Sequence, residues 1–292
     1  MNSTLILKNV NKEYEKSNFA IKDISFSVPE GSIVGFIGEN GAGKSTTMNC
    51  ILNVIRRDSG TIEIFGREMT DEDIDIRENI GVIYDSNNFP EYLTARQLAD
   101  ILGRIYSKWD DFCFEQFLRR FGLPESQRIK TYSRGMSMKL AIAVALSHDS
   151  KLLILDEATS GLDPIMRDEI LDVLLEFVKQ ENHSILLSSH ITSDLEKIAD
   201  YIVFIHNGEI ILNKTKDELI YEYGVIRCSE NDFHNILSED ILSSMKKDYQ
   251  IDVLIKNRKL IEKKYKNLIV DSVSLDEIML LLVKGERNAR ID

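Results

Sequence analysis

The sequence has little of what would tie it to a metal scaffold, a disulfide framework or a membrane span. It has three cysteines in 292 residues, Cys50, Cys113 and Cys228. None forms a C-x-x-C pair or has histidine at zinc-ligand spacing, which leaves reduced packing thiols. Its most apolar runs, residues 140–146 and 278–283, fall far short of the roughly 18 residues that cross a bilayer. Positive charge is also in short supply. Against 48 Asp+Glu stand 36 Lys+Arg, a formal charge of -12, which disfavours extended contact with anionic lipid or with nucleic acid, and no nucleic-acid partner is expected. Residues 1–5 lack the charged head and apolar body of a secretory signal, which predicts a cytoplasmic chain. Internal repeats and low-complexity segments are absent too.

What is present is a core-forming α/β pattern. With 43% apolar residues, the length suits one large α/β domain and a small one. Short Ile- and Val-rich runs bounded by turn residues predict strands at residues 5–10, 24–28, 33–37, 61–65, 80–84, 152–155, 184–187 and 201–205. Helical periodicity marks residues 44–55, 96–106, 112–121, 136–147, 166–179 and 193–199. Early strands with hairpin-like turns, followed by alternating strand and helix, predict a parallel core sheet with an antiparallel β flank. Residues 86–150 read as an inserted helical subdomain, so the large domain spans residues 1–223. Residues 224–292 read as a small α+β domain, with strands at 225–228 and 251–255 and a capping box, Ser274 to Glu277, opening a last helix. Residues 285–292 form a polar tail expected to fray.

Two segments carry chemistry. Gly38-Glu39-Asn40-Gly41-Ala42-Gly43-Lys44-Ser45 fits G-x-x-x-x-G-K-[ST] in full, follows a strand and opens a helix. The glycines let backbone N–H groups turn toward a phosphate, where the positive helix end adds to them. Lys44 then bridges the β- and γ-phosphates of ATP, Ser45 ligates Mg2+ and Thr46 reaches the α-phosphate. The second segment is the apolar run 152–155, which ends in Asp156 and Glu157, placing two carboxylates at the sheet edge where nucleotides bind. Asp156 is expected to hold Mg2+ and Glu157 to deprotonate the attacking water. An acidic pair at a strand end also serves as a helix cap; the upstream phosphate loop favours catalysis.

Read through Asp163-Pro164, the strand gives L-L-I-L-D-E-A-T-S-G-L-D-P, and here the chain resembles the ATP-binding subunits of ABC transporters. The resemblance covers about residues 5–223 and implies the P-loop ABC ATPase fold. It makes residues 160–163 the D-loop at a head-to-tail dimer interface. Tyr132-Ser133-Arg134-Gly135-Met136 stands at the family's L-S-G-G-Q signature, with Arg134 and Met136 departing from it. Ser133 and the Gly135 N–H remain able to bind a γ-phosphate held by the other subunit, although alone the segment would read as a serine cap. His190 stands where the family has its switch histidine, and Tyr14 where an aromatic ring stacks on adenine; an ordinary packing tyrosine is the alternative. The remaining histidines, His148, His183, His206 and His234, read as solvated or turn residues. Asp85 replaces the Q-loop glutamine, and two readings stay open, a metal contact or a plain surface loop over residues 85–89.

By resemblance the implied partners are a second copy or a related ATPase, and a separate transmembrane permease that docks around residues 85–121 and holds the chain at the inner membrane face. The acidic Q position, the variant signature and the added C-terminal domain are most similar to bacterial exporter ATPases. A soluble ABC ATPase of DNA repair or translation is the rival reading. Residues 45–132 carry no sustained heptads of the kind repair members have, and there is one cassette where translation factors have two. A nucleotide-binding regulator with little turnover is a third, against which Lys44, Asp156 and Glu157 stand. The small domain is expected to stabilise the dimer or regulate it.

Overall fold

The computed structural model describes residues 2–14, 19–70, 72–85 and 89–287. Residues 86–88, after Asp85, and the end of the polar tail, 288–292, lie outside the described residues. In chain order the strands are β1 (Ser3–Glu13), β2 (Ala20–Pro29), β3 (Ile33–Ile37), β4 (Ser59–Ile64), β5 (Arg67–Glu68), β6 (Ile80–Tyr84), β7 (Leu152–Asp156), β8 (Ser184–Ser189), β9 (Tyr201–His206), β10 (Glu209–Thr215), β11 (Gly224–Cys228), β12 (Ser243–Lys246), β13 (Ile251–Ile255), β14 (Val270–Asp271) and β15 (Glu286–Arg287). The helices are α1 (Lys44–Ile51), α2 (Ile74–Glu78), α3 (Ala95–Ile105), α4 (Asp111–Phe121), α5 (Arg134–Leu146), α6 (Pro164–Val178), α7 (Thr192–Ile198), α8 (Lys216–Glu222), α9 (Glu230–Phe233), α10 (Arg258–Lys264) and α11 (Leu275–Lys284).

The central sheet runs β10-β9-β3-β8-β7-β6, parallel except for β10. Its strands are apolar at successive positions because both faces are covered. Ile33, Leu153, Leu155, Ile185 and Leu187 point into a core shared with the helices, while Val34, Phe36, Leu152, Ile154 and Leu186 point into the opposite core. That second core is closed by α1 residues and by the antiparallel sheet β2-β1-β4-β5. The expected layering of parallel core and antiparallel flank is therefore the observed one. Among the described residues no strand lies between β6 and β7, where α3, α4 and α5 stand. Thr94 starts α3 through a capping box with Gln97.

Local chemistry accounts for the differences from expectation. Helix α1 stops at Ile51, short of residue 55, and Asn53 turns left-handed at φ 54°. An Asn207-Gly208 turn, both residues at positive φ, folds β10 back on β9, a hairpin signal that the strand reading passed over. His148 is not a solvated turn residue: it is buried, stacks on Tyr106 at a centroid distance of 4.1 Å, and its Nδ1 lies 3.1 Å from the Glu78 carbonyl. Burial lowers its pKa below the usual histidine value.

The C-terminal strands form a sheet β14-β11-β13-β12-β15. Its β12 escaped the pattern reading because its buried residues are Ser243 and Ser244; Ser243 Oγ donates to the Leu281 carbonyl of α11 at 2.5 Å. One face of this sheet joins the main core through Val225 and Leu254, and the other packs Ile226, Val253 and Ile255 against Ile261. Helix α11 packs on α7, and its first N–H, at Leu275, donates to Glu196 Oε1 at 2.8 Å.

Candidate active site

Strand β3 delivers the chain to Gly38, and α1 begins at Lys44. Gly43, at φ +118°, must be glycine on two counts: a side chain disfavours that conformation, and a Cβ there would lie 2.8 Å from Ile21 Cγ2. Lys44 is 6% exposed. Its Nζ donates to the Gly38 carbonyl at 2.7 Å and to that of Glu39 at 3.3 Å. The loop borders a cleft of about 470 Å3 lined by Asn40, Gly41, Gly43, Lys44, Ser45 and Thr46, with Glu157 and Phe19 across it. A positive helix end and a buried ammonium at one cleft make a phosphate site.

The sheet order β3-β8-β7 puts the remaining chemistry beside that loop. Asp156 at the end of β7 pairs in register with Ser188 of β8, whose hydroxyl donates to Asp156 Oδ1 at 2.6 Å. Tyr84, opposite Asp156 on β6, is half-buried, and desolvation, then the Asp156 charge, raises its pKa above the ordinary phenol value. Glu157 leaves the strand in a left-handed turn at φ 55°, its N–H donating to the Ser188 carbonyl at 3.2 Å. That turn aims its carboxylate back over the loop. Oε1 lies 3.2 Å from Lys44 Nζ and Oε2 lies 2.5 Å from His190 Nδ1. Because Oε1 has no well-aligned hydrogen-bond partner, its contact with Lys44 is one of charge. Lys44, Glu157 and His190, separated by up to 146 residues in sequence (190 − 44), thus meet at one place.

Among the described residues no group of three or more His, Cys, Asp or Glu side chains is placed to hold a metal alone. The Ser45 hydroxyl and the Asp156 carboxylate nevertheless fit Mg2+, a hard cation usually held by one or two protein oxygens plus substrate phosphates. The Asp85 carboxylate pairs with the Arg134 guanidinium, and both side chains are about half exposed. Of the two readings, a metal contact or a surface loop, that pairing favours the loop, and the role of Asp85 stands as a proposal.

The signature segment opens α5 with Ser133 as N-cap, its hydroxyl accepting from the Met136 N–H at 3.2 Å, so the helix starts two residues earlier than its apolar pattern suggests. Gly135 is buried, and a Cβ there would lie 2.1 Å from Met166 Sδ on α6. Arg134 lies against the D-loop: a Cβ on Gly161 would be 2.6 Å from its NH1. Arg134 and Gly135 are therefore assembled with residues 161–166, and neither Ser133 nor Gly135 lines the phosphate-loop cleft. Asp163 caps α6, accepting from the N–H groups of Ile165 and Met166 at 3.1 and 3.0 Å.

Tyr14 stands beside the loop with its hydroxyl 3.5 Å from Thr46 Oγ1, while the aromatic side chain on the cleft wall is Phe19. No pattern in the sequence singled out Phe19. Nor did one pick Ser188 as the partner of Asp156, although the two apolar runs that end there imply neighbouring strands.

The chain matches the family model described as ABC transporter over residues 21–160. It is 33% identical over 225 residues to an uncharacterized ABC transporter ATP-binding protein, YhcH, of Bacillus subtilis, covering 76% of this chain and 73% of that one. It is 36% identical over 219 residues to the lantibiotic transport ATP-binding protein SrtF of Streptococcus pyogenes, covering 73% and 91%. Among solved structures it resembles an ATP-binding subunit of an ABC transporter, with a TM-score of 0.68 and 30% identity over 74% of this chain and 92% of that one. Fold, site and relatives agree: the chain belongs to the ATP-binding, ATP-hydrolysing proteins that power ABC transporters.

Proposed function

We propose that this chain drives a bacterial exporter as one half of an ATP-closed dimer. The observation that carries the dimer is a separation: Arg134 and Gly135 sit with the D-loop, and neither they nor Ser133 line the cleft that holds Lys44 and Glu157. A second subunit, turned head to tail, brings its signature to this phosphate loop. ATP then joins the two subunits and hydrolysis releases them. Phosphate binding competes with Glu157 for Lys44, and Glu157, freed at Oε1 and still held by His190 at Oε2, takes the proton of the attacking water. When bound, Mg2+ supplies charge neutralisation at the phosphates, with Ser45 and Asp156 as its protein oxygens. Tyr14 or Phe19 provides the face on which adenine stacks.

Export is supported by the likeness to a lantibiotic transport protein. Among the described residues no helix is long and apolar enough to cross a membrane, and the likeness to an ATP-binding subunit of an ABC transporter supports a permease as a separate subunit. Its docking place is a cavity of about 700 Å3 between β6 and α5, with Phe89, Ile129 and Met138 inside and Asp85 and Arg134 at its wall. Residues 1–223 form the ATPase domain and 224–292 a regulatory module; contact of α11 with α7, just past His190, supports regulation. Co-expression with a multi-span membrane protein encoded beside it tests this reading. Co-purification with that protein, and turnover that rises in vesicles containing it, are expected; co-purification with ribosomes or DNA in its place would overturn it.

A further inference from the structure

Three buried polar groups converge between α6 and α7: the Thr159 hydroxyl leans on the Asp194 carboxylate, while Arg167 Nε and Asp194 Oδ2 have no well-aligned hydrogen-bond partner among the described residues. Such atoms are uncommon in folded chains because each loses its water without compensation. Thr159 follows Glu157 by two residues and is 0% exposed. Arg167 is in the first turn of α6, just past the D-loop, and its NH2 donates to the Leu162 carbonyl at 3.3 Å. Asp194, 3% exposed, is on α7, four residues past His190. Arg167 Nε and Asp194 Oδ2 face each other at 3.8 Å, attracted but not hydrogen-bonded. Burial raises the pKa of Asp194, with the Thr159 hydroxyl and the Arg167 charge pulling it back.

The pair is lopsided, with the Arg167 side chain 25% and the Asp194 side chain 4% exposed, and it lies between two helices whose exposed edge is joined by Lys197 and Asp168 at 2.9 Å. On its far side α7 is held by the C-terminal module through Glu196 and the Leu275 N–H. A small movement of α7 against α6 would shorten the contact between Arg167 and Asp194.

We propose that Arg167 and Asp194 are positioning residues for hydrolysis: they link the D-loop, held by Arg167 at the Leu162 carbonyl, to the helix that follows the switch histidine of the same chain. The inference rests on the dimer reading, in which the partner subunit touches residues 160–163. Docking of the partner shifts the D-loop, Arg167 closes on Asp194, and α7 sets His190 against Glu157. Each site thereby responds to its partner, and ATP turnover is cooperative.

The test is a double-mutant cycle on the full chain with Arg167→Gln and Asp194→Asn, reading kcat, KM for ATP, the Hill coefficient and the thermal midpoint. Each single variant is expected to lower kcat by roughly 2- to 30-fold, to bring the Hill coefficient toward one and to leave KM nearly unchanged. The double variant should be no worse than either single. Unchanged kcat and Hill coefficient beside a lowered midpoint would make the cluster structural only; independent, multiplicative losses would break the link. If either variant folds poorly, Arg167→Lys, which keeps the charge but cannot bridge both acceptors, is read by the same criteria. Adding Glu157→Gln separates this inference from its foundation: an ATP-trapped dimer should still form in the Arg167→Gln background. Its absence with Glu157→Gln alone would indict the dimer, and its loss only with Arg167→Gln would give Arg167 a role in assembly and overturn the proposal.

Discussion

The two ends of the ATPase domain are finished to different degrees. At the phosphate loop every charge has a partner from its own chain: Lys44 has two carbonyls and Glu157, Asp156 has Ser188, and Glu157 has His190. Lys44 and Glu157 are 6% and 16% exposed, where electrostatic contacts are strong, while the His190 ring is 47% exposed. At the signature, Ser133 caps its helix, and the Asp85 and Arg134 side chains are 53% and 49% exposed. The difference fits the proposed dimer, in which the first end holds ATP and the second meets a partner subunit.

The prediction of largest effect breaks the first end. Glu157→Gln keeps the shape of the side chain and removes its base, so turnover should fall by about 10²- to 10⁴-fold while ATP still binds and a nucleotide-bound dimer accumulates on size exclusion. Phosphate release at the wild-type rate would remove Glu157 from the mechanism. A much smaller change is expected at the second end. Arg134→Gly and Asp85→Asn each break a half-exposed ion pair, which should shift folding stability by no more than about 1 kcal/mol. With Arg134 as its partner, Asp85 should also leave the Mg2+ concentration for half-maximal turnover unchanged in Asp85→Asn. A raised Mg2+ requirement would return Asp85 to the metal.

The finished end was also the legible one. Residues 38–45 and the strand of Asp156 and Glu157 stand out because backbone geometry and phosphate chemistry leave few residue types suited to those positions, whereas His190 was legible only through the family resemblance. The parallel core was readable for a related reason: strands buried on both faces are apolar throughout, as in Leu152 to Leu155 and Ile185 to Leu187. What escaped depends on contacts between distant segments. The pairing of Asp85 with Arg134 requires knowing that β6 and the start of α5 meet, and Phe19 enters the cleft from a segment with no motif of its own. The burial of His148 under Tyr106 is likewise a tertiary event. In the C-terminal module, Ser243 is buried against α11 and Ser244 on the opposite face of the sheet, and polarity concealed their strand.

The central claim is that a working site takes its loop from one chain and its signature from another. It is tested most directly by mixing two inactive variants, Lys44→Ala, which cannot hold the phosphates, and Gly135→Asp, which puts a side chain against Met166 and a negative charge at the signature. Each alone should be inactive. After the subunits exchange, half of the dimers pair one variant with the other and carry one intact composite site, so turnover should recover to at most about a quarter of wild type, and to less if the two sites act cooperatively. No recovery, with subunit exchange verified by differently labelled chains, would place the whole site within one chain and contradict the account.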